Sequence, residues 1–188
     1  MAVRTFFAID LDETARGRIL SARRQLEAME GTIKWTREDN LHVTMNFLGD
    51  VPDGRIAEIC GLAQQCAGRL KPFDFAARGL ACIPSRGQLR MIWVCVDDPT
   101  GRMAELHDAL NRALGEIGMR TESRSFKGHV TLARIRSAAN AEAIRRAVER
   151  FTAIEFGIVQ VDRLVVYSSE LATGGPIYRP LARAPLGG

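Results

Sequence analysis

The sequence predicts an α+β fold, and three observations carry that reading. Short β-rich runs and amphipathic helical stretches mix without the regular βαβ alternation of a parallel, doubly wound sheet. A turn-forming cluster, Pro84-Ser85-Arg86-Gly87, joins two of the strands directly, as an antiparallel hairpin does. Two strands carry the same tripeptide, His-Val-Thr, 87 residues apart and each ahead of a helix, which is what two related lobes would show.

The elements follow in order. Residues 3–9 form a short, Phe-rich apolar run bounded by charges and read as a buried strand. Asp12 can cap a helix whose stripe is Ile19, Ala22, Leu26 and Met29, closed by Gly31. Residues 41–48 are a second strand. Pro52 and Asp53 open a helix with Ile56, Ile59, Cys60, Ala63 and Cys66 inward, ending near Gly68. Strands 73–83 and 89–96 flank the hairpin cluster. Asp98, Pro99 and Thr100 begin a third helix that buries Met103, Leu106, Leu110, Ala113, Leu114 and Ile117 before Gly118. Strand 129–135, a helix over 139–151 with Ile144 and Val148 inward, a Val-rich strand over 158–167 and a last one over 177–182 complete the chain. No stretch rich in Pro, Gly or Ser divides it, so residues 1–188 are expected to form one domain.

The formal charge of +4 is spread through the chain in Arg, which permits a polyanionic partner without requiring one. The four cysteines form no CxxC pair and no zinc spacing, and read as reduced, mostly buried thiols. The opening MAVRTFFAID places Arg4 and Asp10 around an apolar run too short for a secretory signal or a membrane span. A cytoplasmic protein with no membrane partner is expected, and a monomer.

Two of the three histidines stand in the repeated tripeptide. With ten threonines in the chain, a given His has roughly a 5% chance of Thr two places on, so two such cases arise by chance in about one sequence in a hundred. Alternation along a strand puts His42 and Thr44 on one face, and His129 and Thr131 likewise. Two such strands face to face would give two imidazoles flanking one phosphodiester. One could take a proton from water and the other give one to the leaving oxygen, while the hydroxyls donate to the non-bridging oxygens. The plain alternative is two half-buried histidines beside good strand formers. His107, on the third helix and without a Thr partner, reads as structural.

With these motifs in view, the chain resembles the 2H phosphoesterase superfamily, and within it the RNA 2',3'-cyclic phosphodiesterases once called 2'-5' RNA ligases. The resemblance runs through RTFFAIDL, WTREDNLHVTMNFLGD, RSFKGHVTLAR and VVYSSELATGGPIY. It implies a bilobal fold in which each lobe brings one His-x-Thr strand to a central cleft. It also implies hydrolysis of a 2',3'-cyclic phosphate RNA end to a 2'-phosphate, without metal or cofactor, and in some members 2'-5' ligation. His42 is then placed as the general acid toward the 3'-oxygen and His129 as the general base. Thr44, Thr131 and Arg134 are placed on the substrate. Gly128 stands where the family usually has Pro, a departure that could loosen the start of the strand.

Strict alternation sets Arg134 on the face opposite His129, so it reaches the site only if the strand bends or the side chain wraps around. Phe47 falls opposite His42 by the same parity and is expected in the core. Trp35, Phe7 and Tyr178 could stack on a base or simply pack. Arg124 and Lys127 could attract RNA backbone or sit on a solvated loop. A rival of another class is a non-catalytic module that holds a phosphorylated RNA end, although binding alone would not call for two titratable groups at equivalent places. A third is a basic scaffold with no nucleic-acid role, which widely separated histidines would favour.

Overall fold

A computed structural model describes residues 1–29, 31–137 and 140–187. Its strands are β1 (Ala2–Asp10), β2 (Thr32–Trp35), β3 (His42–Pro52), β4 (Phe73–Ile83), β5 (Met91–Asp97), β6 (His129–Ser137), β7 (Glu155–Val161), β8 (Arg163–Ala172) and β9 (Gly175–Pro185). The helices are α1 (Glu13–Leu26), α2 (Ile56–Ala67), α3 (Arg102–Glu116) and α4 (Ala141–Glu149). None of them is long and apolar enough to cross a membrane.

The strands hydrogen-bond in the order β7-β4-β5-β6-β3-β1-β8-β9, with β2 adding to β6 beyond its contact with β3. The order is symmetric about the β6/β3 junction. Outward on each side come a motif strand, its antiparallel partner (β5 or β1), then β4 or β8, then β7 or β9. Two of the helices are exchanged across this junction. α1 follows β1 but packs on β7 in the other half, whereas α3 follows β5 and packs on β3 and α2. One apolar core runs beneath both halves, from Phe7, Val43 and Val166 to Phe75, Leu132 and Phe156.

Most of the predicted stripe residues are buried: Ile19, Ala22 and Leu26 on α1, Ile59, Ala63 and Cys66 on α2, Met103, Leu106, Leu110 and Leu114 on α3, Ile144 and Val148 on α4. Met29, Ile56, Cys60, Ala113 and Ile117 are only partly buried against the core. Asp12 caps α1, accepting from the Ala15 amide at 2.8 Å. α1 stops at Leu26, earlier than the Gly31 boundary expected. α3 begins after Gly101, and Asp98 still serves it by accepting from the Met103 amide at 2.8 Å. The expected start of the fourth helix, Ala139, lies outside the described residues.

Three expectations need correction. β2 is a strand that the element order above does not contain, because four residues of alternating half-exposure carry no apolar run. The stretch 158–167 is two strands that part at Asp162, one pairing with β4 and the other with β1. Their shared Val-rich composition cannot register a change of neighbour. Of the four free thiols only Cys66 is buried; Cys60, Cys82 and Cys95 are partly exposed.

Gly79 shows why one glycine is obligatory. It sits at φ 76°, where β4 meets the loop before β7, and a Cβ there would run into the Thr152 carbonyl. Arg145 of α4 secures the β4–β5 hairpin by donating to the carbonyls of Pro84 (2.9 Å), Ser85 (2.6 Å) and Gly87 (2.8 Å). Its loss would leave three turn carbonyls to water and free the hairpin from α4. Arg145→Ala is expected to destabilise the fold by about 1–3 kcal/mol, read as a lower urea midpoint at unchanged m.

Candidate functional site

The two motif strands share one irregularity. On β3, Thr44 faces Ala8 and Asn46 faces Phe7 of β1, which leaves Met45 as an extra residue. On β6, Thr131 faces Trp93 and Ala133 faces Ile92 of β5, which leaves Leu132 extra. Each is a β-bulge at the fourth motif position, and each sends two successive residues inward: Met45 and Asn46, Leu132 and Ala133. The parity of the strand is thereby reversed. Phe47 and Arg134, five residues after their histidines, return to the histidine face.

This corrects the placement of both. Arg134 lines the cavities that hold His42, with no need for its side chain to wrap around. Phe47 is not core: it is 37% exposed, and Arg4 lies over its ring at 4.8 Å from the centroid.

β3 and β6 meet antiparallel at one pair, Val43 with Val130. These are equivalent residues of the two motifs, so a local two-fold axis passes between them, as in an isologous contact. Continuing the register by one residue sets His42 beside Thr131 and Thr44 beside His129. Facing positions of this kind hold their Cβ atoms about 4.5–5.5 Å apart. Val43 and Val130 are fully buried below, and the four polar residues are half-buried above.

The rings are oriented alike. His42 Nδ1 lies 2.9 Å from the Asn40 carbonyl, and His129 Nδ1 lies 2.8 Å from the Lys127 carbonyl. A carbonyl only accepts, so Nδ1 carries the hydrogen and each neutral ring keeps its lone pair on Nε2. Thr44 Oγ1 donates to Nε2 of His42 at 3.0 Å. Asn40 is itself buried and donates to the Pro176 carbonyl at 2.7 Å, tying the start of β3 to β9. Aromatic rings hold both imidazoles. Phe6 packs 5.0 Å from His42 and Tyr178 stands edge-on at 5.4 Å, while Trp93 stacks on His129 at 3.6 Å with planes 16° apart.

Burial pushes the pKa of His42 down to about 4, against the opposing pull of the Asn40 carbonyl and the Asp10 carboxylate. Burial also lowers His129, and the positive charges of Arg134 and Lys127 push the same way. Both rings are therefore neutral in the free protein near pH 7.

A cleft of about 280 Å³ is walled by His42, Thr44, Thr131, Arg134, Trp35 and Tyr178, with Lys34, Arg37 and Arg136 adding positive charge. His129 opens instead on a neighbouring cavity of about 290 Å³, beside Trp93, Lys127 and Gly128. Thr131, between them on the same strand face, belongs to the first. Gly128 is not a loose point: a Cβ there would lie 3.0 Å from Met103 Sδ and 3.3 Å from Val96 Cγ1, so a bulkier residue needs Met103 to move.

Of the aromatic candidates, Trp35 and Tyr178 line the cleft, whereas Phe7 is fully buried and belongs to the core. Lys127 joins the His129 cavity; Arg124 is an exposed loop residue. His107 is buried on α3, bonded to Asp108 at 3.0 Å and stacked on Phe126. Phe6 and Trp93 were not singled out from the sequence, because their roles depend on strand pairing. Among the described residues, no group of three or more His, Cys, Asp or Glu is placed to hold a metal ion.

Known proteins share this architecture. An RNA 2',3'-cyclic phosphodiesterase of Methanothermobacter thermautotrophicus is 29% identical over 95% of this chain and 96% of its own. The crystal structure of TT0787 of Thermus thermophilus superposes with a TM-score of 0.83 at 26% identity, over 98% of each chain. That of Escherichia coli LigT complexed with 3'-AMP gives 0.78 at 26% identity, over 99% of each. The family described as LigT like Phosphoesterase matches twice, over residues 9–93 and 94–178, one match for each His-x-Thr strand. The duplicated motif, the symmetric strand order and this double match have one reading: the chain belongs to the LigT-like phosphoesterase family.

Proposed function

We propose that the protein is an RNA 2',3'-cyclic phosphodiesterase that opens the cyclic end to a 2'-phosphate by acid–base catalysis between His129 and His42. The observation that carries this reading is the matched pair of imidazoles. Each has Nδ1 tied to a main-chain carbonyl, which leaves the Nε2 lone pair as the proton-transfer site, met in His42 by the Thr44 hydroxyl, on either side of one strand junction.

His129 Nε2 takes a proton from water as its oxygen attacks phosphorus in line with the P–O3' bond. That bond breaks, and the His42 imidazolium donates its Nε2 proton to O3', leaving a 3'-hydroxyl and a 2'-phosphate. The proton gained by His129 and lost by His42 is exchanged through solvent before the next turnover. Thr44 and Thr131 donate to the non-bridging oxygens, where charge grows in the transition state, and Arg134 neutralises it. Replacing water by the 5'-hydroxyl of a second RNA end gives a 2'-5' linkage through the same transfers.

The test is hydrolysis of an oligoribonucleotide with a 2',3'-cyclic end, with the product identified as the 2'-phosphate. Binding without hydrolysis over hours would instead favour the end-binding module. The two-histidine reaction uses no metal or cofactor, so turnover is expected to persist in excess EDTA; loss on chelation with rescue by a divalent ion would overturn it. Thr44→Val and Thr131→Val are each expected to lower kcat about 10- to 100-fold with little change in KM.

The exchange of α1 and α3 between halves supports one working unit rather than two domains. Both histidines come from one chain, so a monomer suffices for the reaction, and elution at the monomer position against size standards at assay concentration is expected. Four unpaired thiols suit the reducing cytoplasm.

A further inference from the structure

The two histidines are equivalent by position but not by surroundings. Asp10, the last residue of β1, directly faces His42 across the β1/β3 ladder. The position facing His129 across β5/β6 is Cys95. So an acidic residue stands behind one ring and a thiol behind the other.

Asp10 is fixed in place by β8. The Tyr167 hydroxyl donates to both carboxylate oxygens, at 2.9 and 3.1 Å. Tyr167 also stacks on Phe6, which itself packs against His42. The carboxylate does not line either cavity that holds His42; it opens on a separate cavity beside Arg163 and Arg183. It makes no hydrogen bond to the imidazole, whose two nitrogens are taken by Asn40 and Thr44. Its influence on the ring is therefore that of a nearby charge.

The charged side chains that line the cavities of His42 have the opposite sign. Arg4 of β1, Arg134 and Arg136 of β6, Lys34 of β2 and Arg37 line the cavities of His42. His129 of β6 also opposes a charge on His42, Tyr178 of β9 stands edge-on to it, and Arg16 and Arg183 lie near the Asp10–Tyr167 pair. Near His129 stand Lys127, Arg134 and the Cys95 thiol, and Asp98 lines the same cavity with its carboxylate taken up by the Thr100 amide and hydroxyl and the Met103 amide at the start of α3. Among the described residues, Asp10 is thus the carboxylate that directly faces a catalytic ring across a strand ladder, and the ring it faces is His42.

We infer that Asp10, anchored by Tyr167, is a positioning residue that decides which histidine is the acid, by holding a negative charge directly across the ladder from His42, where His129 has the Cys95 thiol instead. This rests on the phosphodiesterase reading above. Its consequence is directional. When a phosphoryl anion enters the cleft, the proton it draws in settles on His42, and His129 stays neutral and basic.

The test compares wild type with Asp10→Asn, which keeps the size and can still accept from Tyr167, and with Cys95→Asp, which gives His129 the same charge. His42 and His129 are titrated by NMR in saturating inorganic phosphate, and kcat is measured against pH on a cyclic-ended oligoribonucleotide. Asp10→Asn is expected to lower the His42 titration by about one pH unit without moving that of His129. It should move the alkaline limb of kcat down by a similar amount and lower kcat at pH 7.5 about 10-fold at unchanged KM. Cys95→Asp should raise the His129 titration and move the acid limb upward. A His42 titration and an alkaline limb that superpose on wild type in Asp10→Asn would overturn the inference, as would a shift of His129 alone. The titrations need no turnover. A wild type without hydrolytic activity would defeat the phosphodiesterase reading and leave the effect of Asp10 on His42 measurable.

Discussion

His42→Ala and His129→Ala are each expected to lower turnover on cyclic-ended RNA by at least about 100-fold, with the fold retained. Each ring makes one proton transfer that no neighbour can take over, since Thr44 and Thr131 do not titrate near neutrality and Arg134 keeps its proton. The fold survives because neither ring holds up the core: Val43 and Val130, beneath them, are untouched. The larger structural cost falls on His129→Ala, which removes the stack on Trp93 and about 1 kcal/mol of stability. The two variants part on a phosphodiester with a p-nitrophenolate leaving group, which departs without a proton. There His42→Ala recovers most of its lost rate and His129→Ala does not. Equal losses on both substrates would remove the division into acid and base, and undiminished activity in either variant would remove the mechanism.

How much of this was legible in the sequence depends on which physical signal carried each part. Helix stripes and buried strands are local patterns, and Ile19, Leu106 and Val43 are buried as their spacing requires. The echo of His-Val-Thr was likewise visible, and the structure adds that the echoed residues meet, Val43 against Val130. What the sequence could not carry was the pairing of strands. The bulges at Met45 and Leu132 arise where each motif strand is out of step with its neighbour, so alternation counted along one strand misplaced Phe47 and Arg134. Trp93 and Asp10 sit near the histidines only through cross-strand register, and nothing within five residues of either names a partner. The division of 158–167 at Asp162 is invisible for the same reason: both pieces are apolar, and only their neighbours differ.

The second large effect is on stability against pH. Burial holds His42 neutral in the folded protein down to about pH 4, whereas an exposed histidine in the unfolded chain takes its proton near pH 6.5. Between those values the unfolded state binds more protons, so stability rises with pH across the window and is lost as pH falls through it. Above pH 6.5 both states carry a neutral ring and the contribution is level. A difference of this size amounts to about 3 kcal/mol between pH 6.5 and pH 4, and the lowered His129 adds in the same direction. Urea midpoints measured from pH 7.5 to pH 4 are expected to fall steeply in wild type and less steeply in His42→Gln, which has nothing to protonate. The two slopes should converge above pH 7. Inorganic phosphate should flatten the wild-type slope, because an anion beside Nε2 stabilises the protonated ring in the folded state, and that anion-dependent proton is the one the acid step requires. A slope unchanged in His42→Gln would mean that the buried ring is not held neutral, and that the proton for O3' is present before substrate arrives.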